Sequence, residues 1–338
     1  MNPLPQGLAE FVARAGWDDA TVIALPGDAS FRRYFRLVRA NADRAGEDGA
    51  GESAMLMHAP PPHEDPAPFL HVARWLTANG LRAPAILADD AAAGWVLTED
   101  FGNDRMRDWL DLNPAHERAA YEAAVEALVA LHRVPAGPFA PYDMAVYARE
   151  AALLTEWYCP AQGLDVDAAG YAAAWETALA PLLARQSPGV TVLRDYHAEN
   201  IMLLDGQPGA PQGLIDFQDA LVGHPAYDLV SLLQDARRDV SVDLETAMLL
   251  HYAHHSGQAD EDFLADYALL GAQRNAKIVG IFTRLNARDG KPRYLAMIPR
   301  VWDALERDLA HPALEPVARW FDANIPETLR FARGAFAA

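Results

Sequence analysis

Asp195 and Asn200 stand five residues apart in the segment LRDYHAENIML (193–203), at the start of an apolar run. A Gly/Pro-containing loop at 206–213 follows, and a second apolar run ends at Asp216 in LIDFQD. Two short apolar runs joined by turn-forming residues predict a β-hairpin. Because a hairpin returns the chain to its starting point, we expect these three polar residues at its entrance.

The first hundred residues have the patterns of strands and one helix. The segment TVIALPGDASFRRYFRLVRA (21–40) has two β-prone runs around turn-forming residues at 27–30, which predicts a hairpin whose glycine-containing turn is a candidate ligand cover. A short apolar run at 54–57 predicts a third strand. FLHVARWLTANG has helical spacing and ends at an Asn-Gly pair, and GWVLTEDFGND (94–104) turns abruptly from apolar to acidic, which indicates a hinge.

Helical patterns dominate the rest of the chain. Asn113 and Pro114 form a helix start, since asparagine suits the cap and proline the first helical position. Further helices are predicted at 167–186, 243–256, 262–286 and 300–310. The sequence thus predicts an α+β fold with a β-rich N-terminal lobe (1–98), a hinge (99–104) and a larger, mostly helical C-terminal lobe (105–338) that carries the catalytic hairpin.

Charge and composition narrow the classes of partner. The net charge of −19 over 338 residues disfavours a nucleic-acid partner, because most of the surface would repel phosphates. The single cysteine, Cys159, cannot form an internal disulfide, and neither a signal peptide nor a membrane span is apparent. We expect a cytoplasmic protein whose partner is a small molecule. The oligomeric state stays open.

The Asp195 motif suits phosphoryl transfer. This chemistry needs a base beside the acceptor hydroxyl and metal ions that compensate the charge of the transferred group. In a D-x-x-x-x-N loop the aspartate takes the first role and the asparagine binds magnesium. Asp216 then supplies the second magnesium ligand. The alternative, a turn held by the side chains of Asp195 and Asn200, does not account for Asp216.

Three further segments extend the pattern to a family. LRDYHAEN, IDFQDA and GHPAYDLVSLL (223–233) resemble the catalytic loop, the metal segment and the following Gly-x-Pro-x-x-Asp-Leu stretch of the aminoglycoside phosphotransferase-like branch of the protein-kinase fold. The resemblance runs from about Leu25 to Leu233. It implies a two-lobe protein-kinase-like fold, the use of ATP and Mg²⁺, and a role for Asp228 in bracing the catalytic loop.

The resemblance also implies a nucleotide site and a substrate. The turn residues Gly27, Asp28 and Ser30 would cover the nucleotide, and the backbone of Glu99, Asp100 and Phe101 would meet the adenine edge. Within the branch, LPGDASFRRYFR, MLMHAPPP, VLTEDFG and QRNAKIVGIFTRL are most similar to bacterial sugar kinases of cell-wall recycling. Those enzymes phosphorylate N-acetylmuramate and N-acetylglucosamine at C1 with ATP.

The sequence departs from the family pattern at two positions. Leu193 stands where a histidine is expected, so the loop needs another brace. The third-strand lysine that pairs with ATP phosphates is absent, and Met57 and His58 occupy that region. Arginines in the first hairpin are candidates to replace it. Strand alternation would place Arg32 and Arg36 on one face of the sheet and Arg33 on the other.

Other residues have two interpretations each. His197 either reaches the transferred phosphate or stabilises the loop. Arg274, Lys277 and Arg284 share a helical stripe that either binds a substrate carboxylate, for which Arg274 and Lys277 are the candidates, or is solvated. His251, His254 and His255 have helical metal-ligand spacing, but no acidic partner is apparent in the sequence, which favours an ordinary helix end.

Two other functions compete with a sugar kinase. The acidic net charge superficially favours a kinase of aminoglycosides or other amines, whose substrates are cationic. The missing lysine alone favours a catalytically silent nucleotide-binding protein. The presence of Asp195, Asn200 and Asp216 together argues against the silent protein.

Overall fold

The structure, a computed structural model, describes residues 4–26, 31–39, 51–209, 211–258 and 260–336. It divides into two compact units, one of Met1–Asp104 with Met202–Asp219 and one of Arg105–Ile201 with Ala220–Ala338. The segment 202–219, which follows the catalytic loop, therefore belongs to the first unit. The lobe and hinge boundaries expected between residues 98 and 105 stay a prediction.

The first unit is built on a five-stranded antiparallel sheet in the order β1-β2-β3-β5-β4. Its strands are β1 (Thr21–Ala24), β2 (Arg33–Val38), β3 (Ser53–His58), β4 (Ile86–Asp90) and β5 (Trp95–Glu99). The predicted hairpin is confirmed by the pairing of β1 with β2, and the predicted third strand by β3.

Alternation along these strands separates two apolar layers. Phe35 and Leu37 of β2 pack with Phe11 on one face, which is covered by α1 (Leu8–Arg14). Met57 of β3 packs on the other face against Leu70 of α2 (Ala67–Ala78). The end predicted for α2 is confirmed, because its C-cap is Asn79 and Gly80 follows with φ +74°.

The second unit is mostly helical, and the long helix α10 runs through its core. Its helices are α3 (Met106–Leu112), α4 (Glu117–Arg133), α5 (Met144–Ala151), α6 (Cys159–Ala161), α7 (Ala168–Arg185), α8 (Ala226–Leu233), α9 (Val242–Ser256), α10 (Glu261–Asp289), α11 (Ile298–Leu309), α12 (Glu315–Asn324) and α13 (Glu327–Phe331). A π-helical turn at Leu154–Tyr158 packs against α10. Asp260 caps α10, its side chain accepting the amide of Phe263.

Two short strand pairs flank the catalytic segment. In the second unit β6 (Val190–Val192) pairs antiparallel with β9 (Leu221–Gly223). β7 (Ile201–Met202), where the chain enters the first unit, pairs with β8 (Gly213–Leu214). The hairpin predicted after the catalytic loop is thus confirmed.

The α+β class and the helices predicted at 167–186, 243–256, 262–286 and 300–310 are confirmed within a few residues. The helix expected at Pro114 begins as a 3₁₀ turn, Pro114–His116, and becomes α-helical at Glu117. The sequence analysis missed α1 and β4. Among the described residues, no helix is both long and apolar enough to cross a membrane.

Candidate active site

The segment 193–200 forms a tightly wound loop after β6 in the second unit. Arg194 has a φ of 73°, a left-handed conformation that is uncommon for a residue with a side chain. The amide of Asp195 donates to the carbonyl of Leu193 at 2.9 Å, and the amide of Asn200 donates to the carbonyl of His197 at 2.8 Å. Such conformations persist where surrounding contacts hold them, and they cluster at functional sites.

Asp228 in the first turn of α8 supplies the main contact to this loop. Its fully buried carboxylate accepts the amides of Leu193 at 2.6 Å and Arg194 at 2.8 Å. Burial raises the pKa of Asp228 to about 7, while the two amide bonds act to lower it. The brace uses backbone amides, so it does not need the histidine that Leu193 replaces. Leu193 is itself buried.

A buried group of charges lies beside the loop. Glu150 of α5 pairs with Arg194, and its oxygen lies 3.1 Å from Nζ of Lys277 on α10. Tyr142 donates its hydroxyl to Glu150, and Nζ of Lys277 lies 3.2 Å from the hydroxyl of Tyr227. Burial alone would raise the pKa of Glu150, but Lys277 and Arg194 hold it below its ordinary value. Glu150 and the two cations that pair with it, Arg194 and Lys277, therefore stay charged at neutral pH.

His197 and Asn200 orient each other within the loop. His197 Nε2 lies 3.2 Å from Nη1 of Arg237 and 3.4 Å from Nδ2 of Asn200. Both neighbours are donors, so Nε2 must accept and the ring proton sits on Nδ1. Burial, Arg237 and Arg274 lower the pKa of His197 well below its ordinary value, so the ring is neutral. The structure thus places His197 as a partner of Asn200.

Asn200 turns its amide nitrogen toward the loop. Nδ2 donates to the carbonyl of Asp195 at 3.0 Å as well as contacting His197. The amide oxygen is the atom type that magnesium takes as a ligand. The adjacent Glu199 pairs with Arg237 at 2.9 Å and with Arg107, and the carboxylate of Asp235 accepts the amide of Ala198 at 3.2 Å.

Asp216 lies in the first unit, just after β8. It is exposed and has a φ of 60°, and Nε2 of Gln218 donates to its Oδ1 at 2.8 Å. Asp216 and Arg32 both act on the pKa of Tyr34, which burial raises, Arg32 lowers and Asp216 raises further. The three side chains therefore belong to one neighbourhood in this unit.

The arginines of the first hairpin have different partners. Nε of Arg32 lies 3.2 Å from Glu64, which precedes α2. Arg33 lies over the ring of Phe35 at 5.3 Å, on the α1 face of the sheet. Nε of Arg36 lies 2.6 Å from the buried carboxylate of Asp100. Within β2, alternation puts Arg33 and Arg36 on opposite faces of the sheet, as expected; Arg32 precedes the strand, so the face predicted for it stays a prediction.

The segment predicted to meet adenine, residues 99–101, lies at the C-terminal end of β5. Glu99 is paired with Arg82, and its amide donates to the carbonyl of Ala85 at 2.9 Å. The guanidinium of Arg82 lies 4.6 Å from the ring centre of Phe101. A Cβ at Gly213 would lie 2.5 Å from that ring, so the glycine lets β8 approach this segment. The predicted cover residues Gly27, Asp28 and Ser30 lie outside the described residues.

Arg274 and Lys277 are not on a solvated surface. Arg274 is 3% exposed, and its Nη1 has no hydrogen-bond partner among the described residues. Its charge acts on His197, Asp228 and Asp235, which places it next to the catalytic loop. The solvated interpretation is therefore wrong, because the stripe faces the interior of the second unit.

The second unit thus holds five of the predicted site residues, namely Asp195, His197, Asn200, Arg274 and Lys277, while the first holds Asp216, the hairpin arginines and residues 99–101. Sequence reasoning missed the carboxylates of Glu150 and Glu64. Neither belongs to a motif, and each is distant in sequence from its arginine: Glu150 is 44 residues from Arg194, and Glu64 is 32 residues from Arg32.

Comparison with known proteins gives one family. A family model described as "Phosphotransferase enzyme family" matches residues 21–267. A Caulobacter vibrioides protein named N-acetylmuramate/N-acetylglucosamine kinase is 37% identical over 95% of this chain and 97% of its own length. A Pseudomonas aeruginosa protein of the same name is 38% identical over 90% of this chain and 89% of its own.

Solved structures share the fold at low identity. A choline/ethanolamine kinase family protein from Mesorhizobium loti matches with a TM-score of 0.62 at 17% identity, covering 94% of this chain and 97% of that one. An ADP-bound aminoglycoside phosphotransferase matches with a TM-score of 0.57 at 14% identity, covering 93% and 99%. The expected protein-kinase-like fold is confirmed.

Replacing Glu150 by glutamine should lower the free energy of unfolding by about 3–5 kcal/mol at neutral pH, because it leaves Arg194 and Lys277 buried without their counter-ion. The control Glu122→Gln breaks an exposed pair with Arg118 and should cost at most about 1 kcal/mol. Denaturant unfolding measures both. A loss for Glu150→Gln no larger than for the control would contradict the argument.

The same pair of proteins has a pH signature. The pKa of Glu150 is depressed in the folded state, so its contribution is present above its ordinary pKa of about 4.3 and is lost as the pH falls through the folded value. The stability difference between parent and Glu150→Gln should therefore be constant at neutral pH and shrink under acid conditions.

Proposed function

Because the chain belongs to the phosphotransferase enzyme family, we propose that it is an ATP-dependent kinase of amino sugars that phosphorylates N-acetylmuramate and N-acetylglucosamine at the C1 hydroxyl, as a step in cell-wall recycling. The observation that carries the proposal is the braced loop 193–200, with Asp195 beside an oriented Asn200. The names of the similar bacterial proteins support the class of substrate.

Asp195 orients the acceptor hydroxyl and takes its proton. As the bond between the γ-phosphorus and the bridging oxygen of ATP breaks, the sugar oxygen bonds to phosphorus, ADP leaves, and the hydroxyl proton passes to the Asp195 carboxylate. Lys277 is close enough for Asp195 to raise its pKa.

Asn200 and Asp216 each fit a role as a magnesium ligand, since an amide oxygen and a carboxylate are the hard donors that this ion prefers. Magnesium, when bound, compensates negative charge on the β- and γ-phosphate oxygens. His197 contributes indirectly in this proposal. It holds the Asn200 nitrogen so that the oxygen is the atom presented.

Replacing Asp195 by asparagine should lower kcat by on the order of 10²–10⁴-fold, the usual contribution of a general base. Folding and ATP affinity should be kept, because the backbone contacts of the loop do not use this side chain. Coupled ADP release and calorimetry with ATP measure the two properties. Turnover within a few-fold of the parent would remove Asp195 from the proposed role.

The nucleotide is proposed to meet three segments of the first unit. The backbone of Glu99, Asp100 and Phe101 takes the adenine edge, and Gly27, Asp28 and Ser30 form the cover. Arg36 is already held by Asp100, so it fixes this segment. Arg32 fits the role of the absent third-strand lysine. Its pair with Glu64, just before α2, resembles the lysine and glutamate pair of protein kinases.

If Arg32 contacts ATP phosphates, Arg32→Met should raise the KM for ATP by roughly 10- to 100-fold, since a charge-assisted hydrogen bond contributes about 1.5–3 kcal/mol. Arg33→Met is the matched control. It removes the same charge one residue away, where the guanidinium lies over the ring of Phe35, and it should change this KM at most a few-fold. Equal effects of the two substitutions would assign the result to net charge alone.

The choice of C1 follows from acceptor chemistry. A carboxylate such as Asp195 is a weak base and favours the most acidic hydroxyl. The anomeric hydroxyl is the more acidic one in a reducing sugar, because the ring oxygen withdraws electron density. A glycosyl 1-phosphate has no free reducing end, which makes the position of transfer measurable.

Incubation with N-acetylglucosamine and Mg-ATP should remove reducing ends in step with ADP release, while the Asp195→Asn protein removes none in the same time. The 1-deoxy sugar should bind and accept no phosphate. If ADP accumulates while reducing ends stay constant, phosphate goes to another hydroxyl, and the C1 assignment fails although the kinase assignment survives.

Two further points concern the substrate: the role of Arg274 and Lys277, and the chemical class of the acceptor. A carboxylate-binding role for Arg274 and Lys277 stays a prediction. Lys277 already has Glu150 as its counter-ion, so it must exchange a contact to meet a substrate, whereas Nη1 of the buried Arg274 has no hydrogen-bond partner among the described residues. An aminoglycoside or small-amine kinase of the same family is the second candidate, favoured by the charge of −19, and competition by polyamines would distinguish it.

A further inference from the structure

Two helices of the second unit bring three metal-binding side chains together, away from the residues assigned to phosphoryl transfer. They are Glu126 on α4 and His251 and His255 on α9. One ligand atom from each side chain lies within 4.8 Å of the ligand atoms of the other two. Among the described residues, this is the group of three histidine, cysteine or carboxylate side chains that meets this distance. The acidic partner that the histidine spacing lacks in the sequence is supplied by the neighbouring helix.

The two histidines are one helical turn apart, so they project from the same face of α9. Their ring centres lie 4.2 Å apart. Nε2 of His251 lies 3.1 Å from Oε1 of Glu126. The carboxylate is thus already in contact with one of the two rings.

The hydrogen bond of His255 fixes which nitrogen is available. Its Nδ1 lies 2.8 Å from the carbonyl of His251. A carbonyl only accepts, so Nδ1 carries the proton and Nε2 of the neutral ring has the lone pair that a metal needs. This is the arrangement of metal-bound histidines, in which the second ring nitrogen donates to a carbonyl or carboxylate.

We propose that Glu126, His251 and His255 form a zinc site that joins α4 to α9. Two imidazoles and one carboxylate are a ligand set found at three-residue zinc sites, with the fourth position open to water or another ligand. Tetrahedral zinc with ligand bonds of about 2.0–2.2 Å needs ligand atoms about 3.3 Å apart. Glu126 is exposed and both histidines are half-buried, so zinc binding would draw together side chains that are not fixed on all sides by packing. Magnesium prefers oxygen ligands and does not compete effectively for this site.

The site touches the layer that supports the catalytic loop. Two residues before Glu126, the carbonyl of Ala124 accepts the buried hydroxyl of Tyr196 at 2.8 Å. Six residues after Glu126 on α4, Nδ1 of His132 lies 3.0 Å from the hydroxyl of Tyr252 on α9. Zinc would therefore reinforce an interface between helices that is already close-packed, and binding to the folded state alone would raise its thermal stability.

The test uses the full-length, tag-free protein without nucleotide, titrated with Zn²⁺ against a chromogenic chelator and followed by thermal unfolding. The parent should bind one zinc per chain and unfold at a higher temperature with zinc. His251→Gln, His255→Gln and Glu126→Gln should each weaken binding about 10-fold or more and lose the thermal shift. His254→Gln is the matched control, because this exposed histidine lies on the same turn of α9 outside the group, and it should behave as the parent.

The outcomes separate the alternatives. Absence of stoichiometric zinc in the parent overturns the proposal. So does equal weakening by His254→Gln, which would indicate binding by a run of surface histidines, and so does unchanged affinity in Glu126→Gln. Unfolding of each variant in the absence of metal is measured first, and an unchanged midpoint shows that the lost affinity reflects a lost ligand.

Discussion

The carboxylate of Asp228 holds two consecutive backbone amides, and the conformation of the loop 193–200 depends on that contact. Arg194 keeps a left-handed conformation because its amide and that of Leu193 are both bonded to the same buried group. This bend sets the direction of the backbone at Asp195, the next residue. A side chain at position 193 could brace the loop from one side only, whereas the carboxylate fixes the backbone itself, which explains why leucine is tolerated there.

Although the protein is acidic overall, three cationic side chains lie in or beside the loop 193–200. Arg194 and Lys277 meet the single carboxylate of Glu150, and Arg237 meets both Glu199 and the ring of His197. Such buried pairs contribute little net stability, because desolvation offsets most of their attraction. Their value here is positional. Lys277 and Arg194 also hold the pKa of Glu150 below its ordinary value, so that this shared carboxylate stays ionised.

How far the sequence predicts this protein depends on the range of each interaction. The catalytic hairpin, the helices and the split of the hairpin arginines between two faces follow from local patterns, since periodicity and turn residues act within a few positions. The partners of Arg194, Arg32 and His251 did not follow. Each is a carboxylate brought near by packing of distant elements, Glu150, Glu64 and Glu126 respectively. The helix α1 was missed because seven residues carry too few repeats of the helical pattern.

The absent third-strand lysine is then a question of which strand carries the charge. Met55 of β3 is paired with Arg36 of β2, and Arg36 is bound to Asp100, so this part of the sheet face is already neutralised. Arg32 precedes β2, pairs with Glu64 and shares a neighbourhood with Asp216. A guanidinium can contact a carboxylate through Nε and still direct its other nitrogens elsewhere, which a lysine ammonium cannot do with the same geometry. On the proposal that Arg32 meets the ATP phosphates, arginine suits the end of the hairpin better than lysine, and Glu64 before α2 fixes its position through Nε.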